Sequence, residues 1–238
     1  MPMHRVSTFH QVAVSMTSKY QFDQALRELV SSNLRQHEVL SLERKGRKHA
    51  AVAFTLVNAS EPANIANIPY HAGQRSQAAY ILTTRGASLS SHAGQRAFPG
   101  GRVDCGETAE QAALRELHEE VGLALDSSNI LGRLDDYATR SGFVITPFVV
   151  WGGMDVELVA NPAEVELIHR IPLQELLREE APILDSIKES RHPVLGMPLG
   201  EDWIAAPSAA IAYQFREVAL FGRSTRVSHY EQPYFAWK

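Results

Sequence analysis

Apolar positions Phe22, Ala25, Leu26, Leu29, Val30 and Leu34 recur at intervals of three and four, which predicts an amphipathic helix packed on a main domain. The spacing then changes. Residues 49–58 (HAAVAFTLVN) and 78–84 (AAYILTT) are compact runs rich in apolar and β-branched side chains and read as strands. Between them, residues 59–77 carry Pro62, Asn64, Asn67, Pro69 and Gly73, a loop composition. Helical spacing returns over 109–121, where Ala113, Leu114, Leu117 and Val121 form one stripe suited to burial. Thr108 with Gln111 three residues on gives that helix a capping-box start, and Gly122 gives it a stop. Residues 129–137 and 143–151 then read as strands joined by a turn at Ser141-Gly142. Residues 164–171 form a further short strand, followed by Pro172 opening a helix over PLQELLREE. The last strong helix spans 207–222, with Pro near its first turn and Gly at its end. Strands alternating with helices predict an α/β sandwich.

At 238 residues the chain fits one large domain or two small ones, and no Pro-, Gly- or Ser-rich linker divides it. A net charge of −4 offers no footprint for general nucleic-acid or acidic-membrane binding. No apolar run approaches the roughly 18 residues of a membrane span. Cys105 is the single cysteine, which excludes an intrachain disulfide and a cysteine-built zinc site and suits a cytoplasmic setting. The first twenty residues, with Arg5, Lys19 and no acid, read as a frayed terminus, the alternative being a transit peptide. The basic stretch RKGRK at 44–48 reads as a solvated linker or as an entrance contact for an anion. HAGQR occurs at 71–75 and again at 92–96, too short to be a structural repeat. The terminal aromatics Tyr230, Tyr234, Phe235 and Trp237 suit packing on the body or on a subunit partner, so a homodimer is one arrangement that would cover them.

The chemistry concentrates in residues 101–123, GRVDCGETAEQAALRELHEEVGL. Its fixed points are Gly101, Glu107, Arg115, Glu116, Leu117, Glu119, Glu120, Gly122 and Leu123, a pattern that average residue usage produces at roughly 10⁻¹⁰ per start position. On a helix, Glu116, Glu119 and Glu120 stand at i, i+3 and i+4 and share one face. Three carboxylates this close repel unless a cation sits among them, and a hard, oxygen-seeking Mg²⁺ or Mn²⁺ is the natural partner. The bland alternative is a solvated acidic face.

These residues match the Nudix box at every fixed position, so the chain resembles the Nudix hydrolases. That resemblance implies an α/β/α sandwich with a mixed sheet over 48–190. An N-terminal helical extension would cover 1–47, and a C-terminal helix and tail would cover 191–238 on the same domain. It implies cleavage of a small nucleoside diphosphate derivative, with Glu116, Glu119, Glu120 and the backbone carbonyl of Gly100 binding metal. Arg115 would orient Glu107 and the metal carboxylates. The proton from water would go to Glu119 or Glu120, or to an outside acid, for which Glu164 is the candidate and Glu166 a near rival.

Residues 81–101 narrow the resemblance. Leu82, Thr83, Arg85, Gly94, Phe98, Pro99, Gly100 and Gly101 resemble the signature of the coenzyme A pyrophosphatase branch, as do ITPF and NPAEV further on. Gly86 and Ser90 depart from it, and Ser90 stands where the branch usually has Arg. Arg85 and Arg96 are the candidate phosphate grips, and His92 could contact ligand or cap its loop. The implied substrate is coenzyme A or its thioesters, split into 3′,5′-ADP and a phosphopantetheine fragment. The alternatives are ADP-ribose, NADH or an oxidised nucleotide, or a sensor that binds nucleotide without hydrolysing it.

Overall fold

A computed structural model describes residues 20–70, 75–86 and 94–237. Residues 1–19, the first four of the upstream HAGQR copy, Ser90 and His92 lie outside them. The predicted first helix is α1, Gln24–Gln36, opened by Asp23, whose carboxylate accepts the Leu26 N–H at 2.9 Å. Strands β1 (Lys48–Asn58) and β2 (Ala78–Arg85) follow, then the short β3 (Arg96–Ala97) and β4 (Gly100–Arg102). Helix α2 spans Ala109–Val121, with both bonds of the Thr108/Gln111 capping box and a left-handed Gly122 at its end. Beyond it come β5 (Ile130–Arg133), β6 (Tyr137–Ala138), β7 (Phe143–Gly153) and β8 (Val165–Pro172).

The main sheet runs β3-β2-β1-β7-β5, with β4 also on β1, β6 on β7 and β8 on β2. Only β1 and β7 pair in parallel, so the sheet is mixed. Period-two alternation divides its side chains between two layers. Ala51, Ala53 and Val57 of β1, Ala79 and Ile81 of β2, and Phe148 and Val150 of β7 pack under α2. Phe54, Leu56, Tyr80, Leu82 and Val149 face the other way, toward α1 and the C-terminal helix. Phe54 anchors this second layer, stacked on Phe215 at 4.0 Å and on Tyr80 at 5.1 Å. The result is the α/β/α sandwich that the alternation of strands and helices predicts.

Three elements differ from expectation. The strand predicted over 129–137 is interrupted at residues 134–136, because the carboxylates of Asp135 and Asp136 turn inward to accept the N–H groups of Leu40 and Leu42. The helix predicted from Pro172 is a single 3₁₀ turn, Leu173–Leu177, and Pro172 itself still pairs with Ala79 in the sheet. The predicted final helix is real but changes pitch, α-helical as α3 (Ser208–Gln214) and π-helical over Phe215–Leu220.

Sequence reasoning missed a second sheet. Strands β9 (Ile183–Asp185), β10 (Val194–Leu199) and β11 (Asp202–Ala205) form it in the order β11-β10-β9. Its buried residues Leu195, Met197, Leu199 and Ile204 belong to the same core cluster as Phe54. The aromatic tail packs on the body: Trp237 donates its indole N–H to the Gln232 carbonyl at 2.9 Å, and Tyr230 meets Tyr213 edge-on. Tyr234 is exposed. Among the described residues no helix is long and apolar enough to cross a membrane.

Candidate active site

Helix α2 is fixed to the sheet by Ala112, Ala113, Leu117 and Val121, all fully buried. That anchoring aims the intervening glutamates at the β4 loop and at the turn before β8. Arg115 lies at the centre of one half. Its Nε and Nη2 fork onto Glu107 at 2.9 and 3.2 Å, and Nη1 donates to Glu116 at 2.9 Å and Glu119 at 2.8 Å. The remaining Nη2 donor reaches the Arg102 carbonyl at 3.1 Å. A guanidinium has five N–H groups, and here all five are engaged. The Arg115 bond holds the Glu107 carboxyl below the usual carboxylate range, helped by the Asp104 N–H, while Glu107 raises the guanidinium's own pKa.

The other half has no such cation inside it. Glu116, Glu120 and Glu164 each bring a carboxylate oxygen within 4.8 Å of the others. Glu120 is 4% exposed; burial and the neighbouring Glu116 push it up to about 8, against the pull of the Gly100 N–H and of Arg85. Burial also raises Glu116, although Arg115 opposes it. Three carboxylate oxygens drawn within 4.8 Å of one another, that of Glu120 buried, match what a hard divalent cation requires, so the residues present fit such an ion. The glycines of the β4 loop permit the approach. A Cβ on Gly101 would come 2.2 Å from Glu116 Oε1, and one on Gly100 would strike the Ala51 carbonyl at 2.4 Å.

Glu164 reaches the cluster from outside the helix. The turn over 161–164 docks on the end of α2 through the Asn161 N–H, which donates to the Glu120 carbonyl at 3.0 Å. The Glu164 carbonyl in turn accepts the Gly86 N–H at 2.8 Å, tying the turn to the end of β2. The structure therefore joins Glu116, Glu120 and Glu164, and sets Glu119 apart on Arg115. Glu166, the near rival, is exposed one residue into β8.

The two candidate phosphate grips differ. Arg85 is half-buried, and its buried Nε has no hydrogen-bond partner among the described residues. Arg96 is ion-paired to Asp202 at 2.8 Å. Both line a cavity of about 480 Å³, whose further wall includes Asp202, Trp203 and Ile204 of β11. That wall was not anticipated. The available signal was Gly200-Glu201 between the apolar runs 194–199 and 203–206, a hairpin pattern.

Fold and site together define an α/β/α protein with a carboxylate cluster compatible with a divalent cation, close to a cavity that Arg85 helps to line. The NUDIX domain model matches residues 64–189, and the chain belongs to that family. It is 40% identical over 103 residues to Nudix hydrolase 3 of Caenorhabditis elegans, covering 42% of this chain and 43% of that protein. It is 43% identical over 98 residues to the uncharacterized Nudix hydrolase NudL of Photorhabdus laumondii, covering 41% and 52% respectively. The chain thus spans about half the length of the curated relatives it matches. A MutT/nudix family protein from Enterococcus faecalis aligns over 85% of this chain and 64% of its own, at 15% identity and a TM-score of 0.45.

Proposed function

We propose that the chain is a metal-dependent pyrophosphohydrolase that splits coenzyme A or its thioesters into 3′,5′-ADP and a phosphopantetheine fragment. The observation that carries the reading is the meeting of Glu116, Glu120 and Glu164 within 4.8 Å, with Arg85 close enough to act on Glu120. Mg²⁺ or Mn²⁺ would supply charge neutralisation at the phosphate oxygens and acidify water. Glu116 and Glu120 would hold the ion, with the Gly100 carbonyl as a further ligand and Glu119 at the rim. Glu164, exposed at its turn, would accept the proton from the attacking water. Arg85, which lines the cavity, would grip the diphosphate through its guanidinium. Arg115, with every donor engaged, would position the carboxylates and leave the substrate untouched.

One observation favours a second reading, hydrolysis of ADP-ribose, NADH or an oxidised nucleotide. Arg96 is occupied by Asp202, which leaves fewer cations for a 3′-phosphate. Mass spectrometry of the products from a panel of these diphosphates, with Mg²⁺ or Mn²⁺, separates the readings. Coenzyme A cleaved at the diphosphate faster than ADP-ribose supports the first. A preference for ADP-ribose selects the second, and no cleavage of any member defeats both.

A further inference from the structure

The cavity beside Arg85 has two walls of different origin. Ala50, Ala97, Phe143 and Ile145 come from the main sheet, whereas Trp203, Ile204 and Ala206 come from a segment beyond the matched residues 64–189. Its volume of about 480 Å³ falls within the roughly 300–1,000 Å³ of small-molecule sites. Its lining mixes apolar side chains with polar and charged ones. Gln232 is one of these; its Oε1 already accepts the Arg140 N–H at 2.6 Å, so its amide N–H is what it can offer a ligand.

Trp203 is the unusual member of that lining. It is 42% exposed although it lies in a strand of the second sheet. The backbone of Gly196 on β10 lies directly beneath it: a Cβ there would come 2.7 Å from Cε3 and 3.2 Å from Cζ3 of the indole. The ring is thus seated on bare backbone, and Trp203 is among the residues that line the cavity. The Arg96–Asp202 ion pair joins β3 to the residue before Trp203, which fixes the shelf relative to Arg85.

We propose that this shelf selects the nucleobase: a flat heterocycle stacks on Trp203 while the phosphates of the same nucleotide extend to Arg85. A flexible acyl or pantetheine chain gains nothing particular from a rigid indole face, whereas every base has a π-face, and stacking is worth roughly ten- to a hundredfold in affinity. The C-terminal hairpin is then a specificity element for the diphosphate-cleaving site, and Arg96 holds that hairpin in place. The assignment rests on the diphosphate reading for the ligand's class but needs no turnover to be tested.

The test is calorimetric binding of α,β-methylene-ADP to the full chain with Mg²⁺, with methylenediphosphonate as the base-free control. Trp203→Phe should keep nucleotide affinity within about threefold, and Trp203→Ala and Trp203→Leu should each lose about tenfold or more. The control should bind all four proteins alike. Wild-type nucleotide affinity in Trp203→Ala would overturn the proposal, as would Trp203→Leu binding like Trp203→Phe, or equal losses for both ligands. A chain that binds by this pattern yet cleaves no diphosphate keeps the shelf and loses the hydrolase reading. The converse result, cleavage with no dependence on Trp203, keeps the hydrolase and loses the shelf.

Discussion

The two ends of the acidic face on α2 carry similar side chains in opposite electrostatic states. At the outer end, Glu107 and Glu119 both bond Arg115, and the Asp104 N–H adds to Glu107. At the inner end, Glu120 and Glu164 lie beside Glu116 without a cation of their own in the cluster, and burial lifts Glu120 to about 8. A buried charge is tolerated when it is paired and is costly when it is not. The outer end is therefore self-sufficient and serves as scaffold. The inner end gathers carboxylates that its own side chains compensate less fully, an arrangement compatible with a cation. Arg115 links the two, since its Nη1 touches Glu116 of the inner group and Glu119 of the outer one.

The largest expected effect comes from the inner end. Glu120→Gln keeps the shape of the side chain and removes its charge, so turnover should fall by roughly a thousandfold, about 4 kcal/mol of transition-state stabilisation. Thermal stability should hold, because burial already disfavours the charged form of Glu120 and the amide is neutral throughout. Steady-state kinetics at saturating Mg²⁺ beside a thermal melt checks both. Near-normal turnover in Glu120→Gln would mean that the inner end is not the reacting centre.

A smaller effect follows at the link. Arg115→Ala leaves three carboxylates without their shared donor, so metal affinity and turnover should fall together by about 10- to 100-fold, as for other groups that support metal ligands. Unlike Glu120→Gln, it should also lower the melting temperature. Calorimetric Mn²⁺ titration and a melt on the same sample separate these readouts. If Arg115→Ala weakens turnover but leaves Mn²⁺ affinity intact, Arg115 acts on substrate and the scaffold role is wrong.

The carboxylates carried by α2 itself were the more legible in sequence, for a physical reason. Thr108, Gln111, the 113–117–121 stripe and Gly122 are local signals, and the helix they specify places Glu116, Glu119 and Glu120 without help from the rest of the fold. Glu164 was harder to read. It is 44 residues beyond Glu120 in the sequence, and what brings it in is the docking of the 161–164 turn on the end of α2, a contact no periodicity encodes. The break in the strand over 129–137 was hidden in the same way, since Asp135 and Asp136 look like surface residues until their partners from residues 37–42 and 214–226 are in place. The hairpin bearing Trp203 had a turn signal, but its strands of six and four residues carried too little alternation to register.

At the cavity, Arg85 is the counterpart of Arg115, its buried Nε without a hydrogen-bond partner among the described residues. Coenzyme A should be cleaved more efficiently than dephospho-coenzyme A, and Arg85→Ala should narrow that gap while reducing both rates. A charge-assisted bond is worth about 1.5–3 kcal/mol, roughly ten- to a hundredfold. Paired kcat/KM measurements on the two substrates decide it. Equal efficiency in the wild-type chain would remove the coenzyme A assignment and leave the inner carboxylate cluster untouched.

The smallest effect concerns Asp135, a fully compensated carboxylate away from the cavity. It is 1% exposed and accepts from the Leu40 N–H, the Gln214 amide and the Arg226 guanidinium, with His37 at 2.9 Å. Burial pushes its pKa up, but the Leu40 N–H, Arg226, Gln214 and His37 together pull it below the usual value. A carboxyl depressed in the folded state adds stability that is present above its unfolded pKa, about 3.9, and is lost as pH falls through the folded one. The wild-type melting temperature should therefore decline through the acid range below about pH 4. Asp135→Asn should be less stable at neutral pH, where its neutral amide no longer meets Arg226, and should show a shallower acid decline. Melts from pH 7 down to pH 3 on both proteins measure the difference. Parallel acid limbs would show that Asp135 does not carry the coupling, and that inward-turned charge in this fold is compensated elsewhere.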